Sequence, residues 1–136
     1  MPYTYLTEVQ ITSLNRNLGG TTTINPGNLA HAVNGPAAVL FGAVMHATLA
    51  EKAAVLVENL SQGHCFDDAN KRTASAALNA FIKANRQGKG IVGGDKKAVY
   101  AVNQCADANP VLSVQNGYLA QALGKLIPEA KGGDPA

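Results

Sequence analysis

The sequence predicts an all-helical domain, and three observations carry that prediction. Alanine dominates the apolar residues while tryptophan is absent and aromatics make up only 5%, a mixture that suits close-packed helices better than a β-sandwich. Two long stretches on either side of one polar loop repeat their apolar residues every three to four positions. No stretch sustains the apolar-polar alternation of a half-buried strand. With 136 residues, 46% of them hydrophobic and 15% charged, the chain can bury one sizeable core but not two. The expected organisation is one domain over residues 1–127 and a Gly- and Pro-rich tail over 128–136.

Thr7 is placed to cap a first helix, with Glu8 in its first turn and Val9, Ile11 and Leu14 on the apolar side, until Gly19-Gly20 ends it. A polar loop, Thr21 to Asn25, follows. Pro26 and Asn28 open a short helix with Leu29, Ala32 and Val33 inward, closed by the turn Asn34-Gly35-Pro36. Residues Ala37 to Met45 fit neither period. From about Ala47 to Ser61 the residues Leu49, Ala53, Leu56 and Leu60, backed by Ala50, Ala54 and Val57, mark a core helix that Gly63 terminates. After the polar run Cys65 to Ala69 comes a second core helix with Ala74, Ala77, Leu78, Phe81 and Ile82 on one face, ending before Gln87-Gly88. Asp95 can cap a further helix to about Ala106, stopped by Asn109-Pro110, and Ser113 can cap a last one to about Ile127.

Net charge is +2, from eleven Lys and Arg against nine Asp and Glu, too little for a general field that would attract nucleic acid or a membrane surface. Any phosphate chemistry must then come from a local cluster. The apolar stretch Pro36 to Val57 is interrupted by His46, Glu51 and Lys52 before it could span a bilayer. Cys65 and Cys105 have no CxxC spacing and read as free thiols of a reducing compartment. The first residues lack the basic segment and apolar core of a signal peptide. Together these features predict a cytoplasmic protein.

Chemistry concentrates between the two core helices, where His64-Cys65-Phe66-Asp67-Asp68-Ala69-Asn70-Lys71-Arg72 brings together a base, two acids, an amide and two cations. If the second helix starts near Asn70, its open N–H groups and positive dipole end combine with Lys71 and Arg72 to cradle a phosphate. His64 suits a general base taking a hydroxyl proton, since a histidine side chain can take up and release a proton near neutral pH. Asp68 can hold a magnesium ion, which binds oxygen ligands and reaches a protein through one or two carboxylates. Each residue also has a plainer reading. Asp67 or Asp68 caps the helix, Asn70 satisfies the turn, Lys71-Arg72 is a solvated face, and Phe66 is an apolar pin in either case. Cys65 would be a nucleophile only if its pKa were lowered.

The run HCFDDANKRTA resembles the Fic/Doc signature H-x-F-x-(D/E)-(G/A)-N-(G/K)-R at every defining position. Phe41-Gly42, Leu49-Ala50-Glu51-Lys52-Ala53-Ala54, Phe81 and Asn85 extend the likeness towards the Doc branch, over roughly residues 3 to 126. The resemblance implies a helical bundle whose motif loop joins the two central helices, with a small β-hairpin flap near Phe41 and Gly42 that aligns a target segment. In the AMP-transferring members the positions of Ala69 and Lys71 are Gly, and a second Arg stands at Ser75. All three departures match the Doc-type toxins, in which the nucleotide lies reversed and ATP gives its γ-phosphate to a protein hydroxyl on elongation factor Tu. By that resemblance His64 is the base, Asp68 the carboxylate near metal and hydroxyl, and Asn70, Lys71 and Arg72 the phosphate-holding set, with ATP and Mg2+ required. The inhibitory motif (S/T)-x-x-x-E-(G/N) of the AMP-transferring branch is absent from the sequence, and a separate Phd-like antitoxin is the expected partner. The alternatives are AMP transfer and, as a different class, a non-catalytic helical module such as a helix-turn-helix DNA reader. Against the latter, Lys71-Arg72 has no wider basic surface around it.

Overall fold

A computed structural model describes residues 3–90. The helices expected from Asp95 and from Ser113, Cys105, the tail 128–136 and the full domain span 1–127 therefore lie outside the described residues. Within them the chain is helical, with one small two-stranded sheet.

Helix α1 (Glu8–Asn17) starts with a capping box. Thr7 Oγ1 accepts from the Gln10 amide at 3.2 Å, while Gln10 Oε1 accepts from the Thr7 amide at 2.8 Å. Its inward face is Ile11 and Asn15, four residues apart, with Leu14 half-buried beside them. Val9, expected inward, is 75% exposed, because two residues before Ile11 is about 200° around a helix. Helix α2 (Pro26–Asn34) begins on its proline and buries Leu29 and Ala32. A 3-10 turn (Gly35–Ala37) follows, pressed so closely on the next helix that a Cβ on Gly35 would lie 2.7 Å from Val55 Cγ1.

The stretch that fits no period is a hairpin. Strands β1 (Val39–Leu40) and β2 (Ala43–Val44) pair antiparallel, Val39 with Val44 and Leu40 with Ala43. Phe41 and Gly42 both have positive φ, 51° and 79°, the sign pattern of a type I′ connection. Two-residue strands are too short to display alternation, and both faces of this pair are exposed.

Helix α3 (Leu49–Gln62) is capped by Thr48 and buried over most of its circumference from Leu49 to Val57, as a central helix must be. Lys52 is buried with it. Its ammonium donates to the Pro36 carbonyl at 3.0 Å and lies over the rings of Tyr3 and Tyr5, at 4.8 and 5.3 Å, so the charge keeps polar and π partners. Helix α4 (Asn70–Asn85) packs on α3 through Ala74, Ala77, Leu78, Phe81 and Ile82. Asn85 ties the N-terminal segment to it through both the amide and the carbonyl of Thr4, and Tyr5 stacks on Phe81 at 6.2 Å. No helix among the described residues is long and apolar enough to cross a membrane.

Candidate functional site

The turn between α3 and α4 runs from Gly63 to Ala69. Gly63 is required where α3 ends, since a Cβ there would meet the Asn59 carbonyl oxygen. His64 and Ala69 then both adopt left-handed backbone, φ 48° and 64°, which an L-residue holds only when its surroundings impose it.

Around His64 the imposing element is the polar segment before α2. Thr23 pairs with Phe66 in an antiparallel bridge, the amides of Ile24 and Asn25 donate to the Cys65 carbonyl at 2.8 and 3.1 Å, and the Asp67 amide donates to the Thr22 carbonyl at 3.0 Å. Side chains reinforce this strap. Asn25 Nδ2 donates to the His64 carbonyl at 2.6 Å and Asn28 Nδ2 to the Gly63 carbonyl at 2.7 Å. Asp67 accepts from the Thr21 hydroxyl at 2.6 Å and from the amides of Thr21 and Thr22 at 3.0 Å each. The Thr21 hydroxyl, then the two amides, hold the Asp67 carboxyl well below the usual carboxylate range.

The ring of Phe66 is buried beneath the loop with the Arg16 guanidinium 5.7 Å from its centre, and Arg16 Nη2 donates to Thr23 Oγ1 at 3.1 Å. Cys65 is buried as well, and burial pushes its thiol pKa up. That is the reverse of what a nucleophilic cysteine needs.

At the far end of the turn α4 begins at Asn70 with no side chain capping it. The backbone N–H groups of its first turn have no helical partner and face the loop at the positive end of the helix dipole. Asn70 turns its carboxamide back on the loop: Oδ1 accepts from the Phe66 amide at 3.1 Å and Nδ2 donates to the Phe66 carbonyl at 2.9 Å. What Asn70 offers an anion is therefore chiefly its backbone N–H. Lys71 and Arg72 are exposed beside it, and Arg72 Nη2 lies 3.9 Å from Asp68 Oδ1. Both of those side chains are more than half exposed, so the pair is weak and open to exchange for a ligand. His64 is exposed at the start of the turn and Asp68 near its end.

The loop thus carries His64 and Asp68, with Phe66 as its buried anchor, and the first turn of α4 that follows it carries Asn70, Lys71 and Arg72. Phe41 and Gly42 stand apart at the hairpin tip, where Phe41 is 98% exposed. Sequence reasoning passed over the residues that shape the loop from behind: Asn15, Arg16, Thr21, Thr23, Asn25 and Asn28. The density of Thr and Asn in 21–28 was the available signal, because such side chains bond to backbone wherever a chain departs from regular structure.

A family model described as the Fic/DOC family matches residues 5–82, more than half of the chain. Among curated proteins, a relative named Toxin Doc from Mycolicibacterium smegmatis is 41% identical over 59 residues. The aligned stretch covers 43% of this chain and 45% of that relative, so the match spans less than half the length of either.

Proposed function

The chain belongs to the Fic/DOC family, and from that premise we propose that it is a Doc-like toxin kinase, passing the γ-phosphate of ATP to a hydroxyl of a protein target. The observation that carries this reading is the first turn of α4, which has no side-chain cap and carries Lys71 and Arg72 directly after a loop that carries His64 and Asp68. Ala69, Lys71 and Ser75, in place of two glycines and a second arginine, favour gripping a terminal phosphate rather than close backbone approach to an inner one.

In the reaction an imidazole nitrogen of His64 takes the proton of the target hydroxyl as its oxygen attacks the γ-phosphorus. The bond from that phosphorus to the bridging β–γ oxygen breaks, and ADP leaves. The amides of 70–72 with Lys71 and Arg72 hold the phosphate oxygens in line, which is where most of the rate of phosphoryl transfer arises. Asp68 fits a magnesium ion carried by the nucleotide. Its exposed carboxylate uses Oδ1 on the Ala69 amide at 2.7 Å and on Arg72, with no contact of Oδ2 among the described residues. A single carboxylate alongside phosphate oxygens is an ordinary protein share of a magnesium site. When bound, the ion would neutralise charge developing on the phosphates.

The hairpin supplies the target-facing surface in this reading. Val39, Leu40, Phe41, Val44 and Met45 are all exposed, and among the described residues no third strand joins the two-stranded sheet. Elongation factor Tu is the proposed target and block of translation the proposed outcome, with a Phd-like antitoxin as the restraining partner and the cytoplasm as the site of action. The relative's name supports the toxin reading. Mass spectrometry of elongation factor Tu and of whole lysate, after incubation with the chain, ATP and magnesium, tests it. A gain of one phosphate is the expected result, while a gain of AMP, or no modification at all, would refute the kinase.

A further inference from the structure

Ala69 is, with His64, one of two residues in the turn with left-handed backbone. It is buried, it sits at the capping position of α4, and its φ of 64° is one that glycine adopts freely and alanine does not. Two bonds at this kink are local and move with it: the Ala69 amide donates to Asp68 Oδ1, and the Ala69 carbonyl accepts from the Thr73 amide. The third support comes from another helix. Asn15 Nδ2 donates to the Asp68 carbonyl at 2.9 Å and to Thr73 Oγ1 at 3.1 Å, bracketing Ala69 from both sides.

Asn15 is itself built into place. It is fully buried, its Oδ1 accepts from Arg16 Nη1 at 2.6 Å, and its backbone carbonyl accepts from the amides of Leu18 and Gly20. A Cβ on Gly20 would fall on its carboxamide. Nothing about α1 itself requires an amide here, since Asn in a helix interior is a poor helix former and a buried amide is unfavourable without partners.

We propose that Asn15 is a positioning residue for the phosphate cradle. By fixing the Asp68 carbonyl and the Thr73 hydroxyl it keeps Ala69 left-handed, and that kink aims both the Asp68 carboxylate and the first turn of α4. The inference rests on reading that turn as the nucleotide site. Its competitor is a packing role, in which Asn15 only fills space between α1 and α4.

The two roles separate in a double-mutant comparison on the full chain. Asn15→Leu keeps the branched heavy-atom skeleton and removes both donors; Ala69→Gly removes the cost of positive φ. If Asn15 positions the cradle, Asn15→Leu lowers kcat for transfer of the γ-phosphate about 10- to 100-fold, weakens Mg·ATP binding measured by calorimetry, and changes the backbone three-bond coupling that reports φ at residue 69. Adding Ala69→Gly then restores at least part of the kcat. A packing role predicts no rescue, because glycine adds nothing to the core, and equal kcat in the single and double variants would overturn the proposal. If Asn15→Leu folds only in the Ala69→Gly background, a kcat of the double variant within about tenfold of wild type upholds the proposal, and a deeper loss, or failure to fold in both backgrounds, overturns it. A wild type that transfers no phosphate, yet whose coupling at residue 69 depends on Asn15, would refute the kinase and uphold the link between Asn15 and Ala69.

Discussion

Gly20→Ala is expected to destabilise the protein far more than adding one methyl group normally does. Gly20 has no positive φ, so its backbone would accept alanine, but the new Cβ would lie 2.0 Å from Asn15 Oδ1 and 2.5 Å from both Cγ and Nδ2. Those atoms cannot swing away cheaply, because the carboxamide is engaged with Asp68, Thr73 and Arg16. Displacing it forfeits two neutral hydrogen bonds worth about 1 kcal/mol each and one to a charged donor worth about 1.5 to 3 kcal/mol. The expected loss is therefore about 3.5 to 5 kcal/mol, or on the order of 12 to 17 °C in Tm for a domain of this size. Gly27→Ala is the matched control. It lies in the first turn of α2 with nothing within 4 Å of its added Cβ, and it should stabilise by up to about 0.5–1 kcal/mol through backbone entropy. Thermal unfolding followed by circular dichroism measures both. A Tm for Gly20→Ala within a degree or two of wild type would refute the packing described around Asn15.

His64→Ala should abolish transfer, by about 10² to 10⁴ in rate, while leaving Tm almost unchanged because its side chain is exposed; near-normal transfer would remove it from the base role. Leu56→Ala and Phe81→Ala, which empty fully buried sites on α3 and α4, should each cost about 2 to 5 kcal/mol in denaturant titrations, and an unchanged midpoint would contradict the facing of those helices. The carboxyl of Asp67 is lowered in the fold, so its bonds to the strap are fully present above its unfolded pKa of about 3.9 and are lost as pH falls through the depressed folded value. The amide resonances of Thr21 and Thr22 should accordingly stay constant from neutral pH down to about 4 and shift only in stronger acid; a midpoint near neutrality would contradict the assignment.

The helices were legible wherever one face is apolar at helical spacing. Leu49, Leu56 and Leu60 in α3, and Ala74, Leu78 and Phe81 in α4, are buried as their period implies. The start of α4 at Asn70 was legible too, from the polar run ahead of it. Val9 misled because hydrophobicity alone does not define a face, and the inward position four residues beyond Ile11 is taken by the polar Asn15. The hairpin escaped periodicity because its strands are two residues long and bury neither side. The strap escaped for another reason. Its bonds join residues about forty positions apart, the Asn25 side chain to the His64 carbonyl and the Thr21 hydroxyl to the Asp67 carboxylate, and local pattern carries no information about partners at that separation.

The central claim concerns which phosphorus of ATP meets the target hydroxyl, and one labelling experiment addresses it. The chain is incubated with magnesium, elongation factor Tu and ATP labelled either at the γ- or at the α-phosphate, alongside Lys71→Ala. Label from the γ-position should appear in the target protein and that from the α-position should not, with severe loss of transfer in Lys71→Ala. Transfer of the α-label by the wild type would contradict the kinase and identify an AMP transferase on the same loop.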